Sequence, residues 1–98
     1  MGKYVLVYTG GGMPQSEEEQ QRVMAAWNTW FQGLGDAVVD SGNPFGASSA
    51  VNGGGTSGLT GYSIISADGL DAAVSSASSC PILEGGRGSV EVYETLEM

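Results

Sequence analysis

The alternation of apolar and polar residues predicts four β-strands. They are expected where β-branched and aromatic residues cluster, over residues 3–10, 36–40, 59–67 and 88–96. The first of these, KYVLVYTG, carries large side chains on both faces, Tyr4, Leu6 and Tyr8 on one and Val5 and Val7 on the other. A strand that is apolar on both faces needs cover on both.

A helical period follows in residues 16–35. Ser16 and Glu19 form an S-x-x-E capping box at the start. Apolar side chains then recur at i, i+3, i+4, i+7 and i+11 in a single stripe, made of Val23, Ala26, Trp27, Trp30 and Leu34. Gly33 and Gly35 are predicted to end this helix.

A second helix is predicted over residues 68–80. Asp68 is the expected N-cap, and Cys80-Pro81 is expected to end the helix. A smaller apolar stripe repeats the same period at Leu70, Ala73, Val74 and Ala77. Residues 41–58, rich in Gly, Ser and Asn, show no period, and a loop of this length in a compact domain is unusual.

The predicted order of strand, helix, strand, strand, helix, strand is that of an α+β, ferredoxin-like βαββαβ subunit. It predicts a single domain over residues 1–98, with one antiparallel sheet and both helices on one face. The other sheet face, which includes Val5 and Val7, would then be bare. A second copy of the chain is its natural cover, so a homodimer whose two sheets pack into an α+β barrel is expected.

Charge and composition narrow the partners. Eleven acidic residues stand against three basic ones, Lys3, Arg22 and Arg87, for a net charge of −8. This balance argues against nucleic acid and against anionic membrane surfaces as partners. A single cysteine, with no apolar run near the ~18 residues of a membrane span, favours a cytoplasmic protein.

Several segments together resemble the YCII-related family, which is close to the DGPF proteins in the dimeric α+β barrel superfamily. They are YVLVYTGG, WNTWFQGLGDAVVDSGNPFG, GYSIISADGLDAAVSSASSCP and GSVEVYE, and they span nearly the whole chain. The resemblance implies a ferredoxin-like subunit that dimerises through its sheet and has a cleft beside it. A few relatives in the superfamily act on aromatic or quinone-like rings.

The better-studied branch of that family pairs a histidine on the first helix with an aspartate just past the second strand, as a proposed acid–base pair. This chain contains no histidine, and the family's position falls near Met24 or Ala25. The resemblance therefore does not carry that pair over to this chain.

The stretch VVDSGNPFG, residues 38–46, holds the first candidate site residues. Asp40 could serve as a general base if a cleft raised its pKa, and Asn43, with Ser41, could orient a polar ligand. The alternative is that Asp, Ser, Gly, Asn and Pro are ordinary turn residues. The pattern alone favours a turn and leaves a pocket rim open.

Three further residues are candidates for ligand binding. Trp27 could stack on a flat ring, Tyr62 could present a hydroxyl, and Arg87 could hold a carboxylate. Each has a structural alternative: a core stripe for Trp27, strand packing for Tyr62 and a surface ion pair for Arg87. Cys80 has no histidine to serve it and is interpreted as a small buried hydrophobe.

No cofactor or metal site is expected. The glycine triplets at 10–12 and 53–55 lack the lysine of a phosphate-binding loop. With no histidine and one cysteine only carboxylates remain as metal ligands, which argues against soft metals and leaves an adventitious Ca²⁺ open. The favoured hypothesis is a homodimeric module that binds a small apolar or aromatic molecule. The alternatives are a lyase or isomerase that uses Asp40 with Tyr62 or Arg87, and a structural partner domain.

Overall fold

The computed structural model describes residues 2–10, 16–51, 53, 55–86 and 88–96. These residues form four strands and two helices, in the order β1 (Gly2–Gly10), α1 (Glu17–Leu34), β2 (Val38–Asp40), β3 (Leu59–Ala67), α2 (Leu70–Ala77) and β4 (Gly88–Glu94). Short 3₁₀ turns at Gly35–Ala37 and Pro81–Gly86 link α1 to β2 and α2 to β4. The predicted α+β class is confirmed.

The strands make one antiparallel sheet in the order β2-β3-β1-β4. β1 is central: it pairs along its length with β3 on one side and with β4 on the other. Strand order, antiparallel pairing and the two helices are all compatible with the predicted ferredoxin-like subunit.

The core lies between the sheet and both helices. Leu6 on β1 and Ile65 on β3 are 0% exposed, and they pack with Trp30 of α1 and with Ala73 and Ala77 of α2. Both helices therefore cover the same face of the sheet, as the order of the elements predicts. Each large apolar side chain buried in this way contributes about 1.5–3 kcal/mol.

Helix α1 begins where its capping box predicts. Ser16 is the N-cap, and its hydroxyl accepts a hydrogen bond from the Glu19 backbone N–H at 3.1 Å. Gly35 ends the helix with φ +56°, which an L-residue adopts only at a cost. The prediction for Gly33 is wrong, because this glycine lies inside the last turn of the helix.

Helix α2 is shorter than predicted. It begins at Leu70 with Gly69 as the N-cap and no side-chain cap, so the capping role predicted for Asp68 is wrong. Ala73 and Ala77 are buried, whereas Leu70 and Val74 are about half exposed at 48% and 49%. The two alanines face the sheet, because their small side chains let α2 pack close to it.

The second face of the sheet is not covered by either helix. Val5, Val7 and Ile64 alternate with the core residues of β1 and β3 and are only partly buried. Tyr93 on β4 lies opposite Val5 and is 53% exposed. We call this surface the open face. Neither helix in the described part of the chain has the length and hydropathy that membrane crossing needs.

Candidate functional site

A cleft of about 820 Å³ opens on the helix side of the sheet. Helix α1 forms one wall, and the ends of β1 and β3 with residues 41–44 form the other. Pro81 and Ile82, from the 3₁₀ turn after α2, border it as well. This volume falls within the range of pockets that hold small organic molecules, about 300–1,000 Å³.

The helical wall of the cleft is apolar and aromatic. Trp27 and Phe31 are one turn apart on α1, with ring centroids separated by 5.9 Å. The edge-to-face contact of Trp27 with Tyr8, at 5.3 Å and 75°, continues this wall onto β1. Val23 and Met24 extend it toward the start of the helix. Such a wall favours a flat apolar ligand.

The two tryptophans of α1 differ in their surroundings. Trp30 is buried, and its indole N–H donates to the Ser76 carbonyl and the Ser79 hydroxyl, both at 3.2 Å. Trp27 is only partly buried and borders the cleft. Trp30 therefore fastens α1 to the end of α2, while Trp27 presents part of its ring to the cavity.

The polar groups on the floor of the cleft bond to one another. The Tyr8 hydroxyl donates to Ser63 Oγ at 2.7 Å, and the Ser63 hydroxyl donates to the Ser41 carbonyl at 2.8 Å. Thr60 Oγ1 donates to the Tyr8 carbonyl at 3.2 Å. This chain joins β1, β3 and the loop, so the buried Ser63 is stabilised without a ligand.

The ionisable groups behind this floor are held in their neutral forms. Burial raises the pKa of the Tyr8 hydroxyl well above its usual value. Burial also raises the pKa of the Cys80 thiol to about 11. A thiol that stays protonated at neutral pH is a poor nucleophile, which agrees with the interpretation of Cys80 as a buried hydrophobe.

The rim after β2 is more ordered than its composition predicts. Pro44 forms an isolated antiparallel bridge with Gly61, and the Phe45 N–H donates to the Thr60 carbonyl at 2.9 Å. At Gly42, φ is +77°, and an added Cβ would lie 1.7 Å from the Tyr62 carbonyl oxygen. Only glycine allows the chain to pass this close to β3.

No protein-family model matches this chain, and no curated protein matches it. The resemblance to the YCII-related family therefore stays a prediction.

The predicted site residues are divided between two places. Trp27 and Asn43 border the cleft. Tyr62 borders it too, but its neighbours Gly61 and Ser63 are buried on the helix side, so its ring lies on the open face. There it stacks on Phe45 at 5.7 Å and 18°.

Asp40 joins Tyr62 rather than the cleft. Its Oδ1 accepts the Gly42 N–H at 2.8 Å, which closes a turn, and its Oδ2 accepts the Tyr62 hydroxyl at 3.4 Å. Asp40 is exposed and is not part of the cleft lining. Arg87, the remaining candidate, lies outside the described residues.

Sequence reasoning missed several residues that line the cleft. Val23 and Phe31 lie one helical turn before and after Trp27, and this spacing could have identified them. Tyr8 and Ser63 come together only through the pairing of β1 with β3, which the pattern does not give. In the described part of the chain, no three metal-ligating side chains form a group that could hold a metal ion.

Proposed function

We propose that this chain is a homodimeric α+β barrel module whose cleft binds a small apolar or aromatic molecule. The observation that carries the proposal is the cleft of about 820 Å³ beside α1, walled by Trp27, Phe31 and Tyr8. An aromatic ring placed between these side chains gains edge-to-face contacts worth about 0.5–1.5 kcal/mol each beyond its area burial.

The satisfied floor supports an apolar ligand. The Tyr8 hydroxyl donates to Ser63, and the Ser63 hydroxyl donates to the loop backbone. A ligand that competed for them would have to replace bonds already made, whereas a ring need only displace water from the aromatic wall. Asn43, exposed at the rim, remains as a polar contact for one end of the ligand.

The homodimer is the second part of the proposal. The partly buried Val5, Val7 and Ile64 form an apolar strip on the open face, and Tyr93 flanks it with 53% of its surface exposed. If the same strip of a second copy packed against it, the apolar strips of both copies would be buried. The cleft lies on the opposite face of the sheet, so the two surfaces can be occupied together.

The alternative is a lyase or isomerase that uses Asp40 as a base. Asp40 and Tyr62 are in contact, but Asp40 does not line the cleft, and alternation along β3 directs the Tyr62 ring to the open face. A general base has to come within hydrogen-bond reach of the proton it takes. A ligand bound beside Trp27 is therefore better explained by recognition than by catalysis through Asp40.

The ligand-binding proposal can be tested with the uncharged probe N-phenyl-1-naphthylamine. Its fluorescence should rise on binding to the native protein, and Trp27→Leu should weaken binding about tenfold or more because the central aromatic contact is lost. Phe45→Leu is the control, since it removes an aromatic ring outside the cleft lining. Equal binding by the two variants would contradict the proposal.

The dimer can be tested by sedimentation equilibrium at micromolar concentration. The chain has a mass of 10.0 kDa, and the native protein should sediment at about twice that value. Val7→Lys should shift it to monomer by placing a charge on the open face. Val51→Lys, at a loop position 98% exposed, should leave the dimer intact. A native monomer at these concentrations would reject the dimer and leave the cleft proposal standing.

A further inference from the structure

One cation borders the cleft, and its position bears on the ligand. Arg22 lies on the exposed side of α1 and lines the cleft together with Trp27. Along the helix axis the two residues are five positions apart, a rise of about 7.5 Å. They also lie about 140° apart around the axis, but both line the same cleft, so a two-ring molecule placed against Trp27 lies in the cavity that Arg22 borders.

Positively charged residues such as Arg22 are rare in this chain. Only three basic residues stand against eleven acidic ones. Lys3, the other basic residue in the described part of the chain, is exposed on β1 in the same alternation as Val5, on the open face. Arg22 is therefore the one described cation that borders the cleft.

The guanidinium of Arg22 is available to a ligand. Among the described residues, no carboxylate forms an ion pair with it. Glu19, three positions earlier on α1, also borders the cleft, and it has an interaction of its own. A guanidinium stays charged at every physiological pH and presents a planar set of donors that matches a carboxylate, a sulfonate or an ionised phenol.

We infer that the ligand of this cleft is a monoanionic aromatic molecule, with its ring against Trp27 and its anionic group on the Arg22 guanidinium. The inference rests on the proposed function and adds a charge to the ligand. It follows from the combination of an aromatic wall, a floor whose polar groups are already bonded, and a cation at the rim with no ion pair to a carboxylate of the described residues.

Two probes that differ by one charge test the inference. N-phenyl-1-naphthylamine is neutral, and 8-anilino-1-naphthalenesulfonate adds a sulfonate to the same rings. Arg22→Gln should weaken binding of the sulfonate about three- to tenfold and leave the neutral probe within about twofold. Lys3→Gln is the matched control: it changes the net charge equally, at a residue outside the cleft, and should alter neither affinity.

Arg22→Lys and salt complete the test. Lysine keeps the charge but not the planar fork, so the sulfonate should bind between the native and Arg22→Gln affinities. Added salt should weaken the sulfonate in the native protein more than in Arg22→Gln. Equal losses for Arg22→Gln and Lys3→Gln would overturn the inference and leave the proposed function intact. If neither probe binds the native protein in a Trp27-dependent way, both fail.

Discussion

The two faces of one sheet carry similar apolar side chains and meet different surroundings. On the helix side Tyr4, Leu6 and Tyr8 are 0–5% exposed, because α1 and α2 cover them. On the open face Val5 and Val7, from the same strand, are only partly buried. Alternation along a strand therefore specifies two surfaces, and the helices of this chain cover one of them.

The helix side is itself divided. Around Leu6, Ile65 and Trp30 the core is closed, whereas around Tyr8 and Trp27 the helix and the sheet separate to leave the cleft. The gap is bordered by residues with small or bonded side chains, Gly61 and Ser63 on β3. The same face therefore supplies stability at one end and a cavity at the other.

The largest loss of stability is expected when the side chain of Leu6, on the covered face, is shortened. Leu6→Ala should lower the free energy of unfolding by about 2–5 kcal/mol, because a fully buried side chain leaves a cavity. Val7→Ala, the next position on the open face, should cost less than about 1 kcal/mol in dilute solution. Urea denaturation measures both. Equal losses at low protein concentration would contradict the assignment of covered and open faces.

A glycine pair gives the next largest effect. Gly42→Ala should cost about 2 kcal/mol or more, since φ is +77° and the new Cβ would collide with the Tyr62 carbonyl. Gly33→Ala should be neutral or stabilising by up to about 1 kcal/mol, because Gly33 is helical and an added Cβ meets nothing within 4 Å. Thermal unfolding of the two variants compares them directly. A stabilised Gly42→Ala variant would show that the rim does not pass against β3.

The sequence predicts some parts of the fold and not the contacts of the rim after β2. The strand over 59–67 and the Ser16–Glu19 cap follow from residue types that act locally, and both are found as predicted. The pairing of residues 43–45 with β3 brings the Asn43 carbonyl oxygen close to Gly61, where an added Cβ would lie 3.3 Å from it. Such a contact between distant segments leaves no periodic signal.

The candidate site was predicted in part for the same reason. The stripe on α1 identified Trp27, but whether its ring faced core or cavity depended on how the helix lies over the sheet. Asp40 was predicted as a site residue from its neighbours in sequence. Alternation along β3 directs the Tyr62 ring to the open face, and Asp40 accepts a hydrogen bond from the Tyr62 hydroxyl instead of lining the cleft. The role of Asp40 in ligand chemistry stays a prediction.

The smallest effect concerns pH. Burial raises the pKa of the Cys80 thiol to about 11, above its unfolded value, so the folded state holds the neutral thiol. The neutral thiol contributes on the order of 1–2 kcal/mol to the free energy of unfolding. This contribution is present below about pH 9 and is lost as the pH rises toward 11. The raised pKa of Tyr8 acts in the same direction at still higher pH.

Denaturation at pH 7, 9 and 10.5 should therefore show stability falling above pH 9. Cys80→Ala is less stable throughout but should lose less between pH 9 and 10.5, since the thiol no longer ionises. An identical pH dependence in the native protein and in this variant would mean that the thiol is not buried at the back of the core.

A ligand that enters the cleft beside Trp27 can be followed through the two indole N–H signals in a nitrogen–proton NMR spectrum. During titration with 8-anilino-1-naphthalenesulfonate, the Trp27 signal should move progressively. The Trp30 signal should change far less, because its N–H remains bonded to Ser76 and Ser79. A larger movement of the Trp30 signal, or no movement of either while the probe binds, would show that the ligand does not bind beside Trp27.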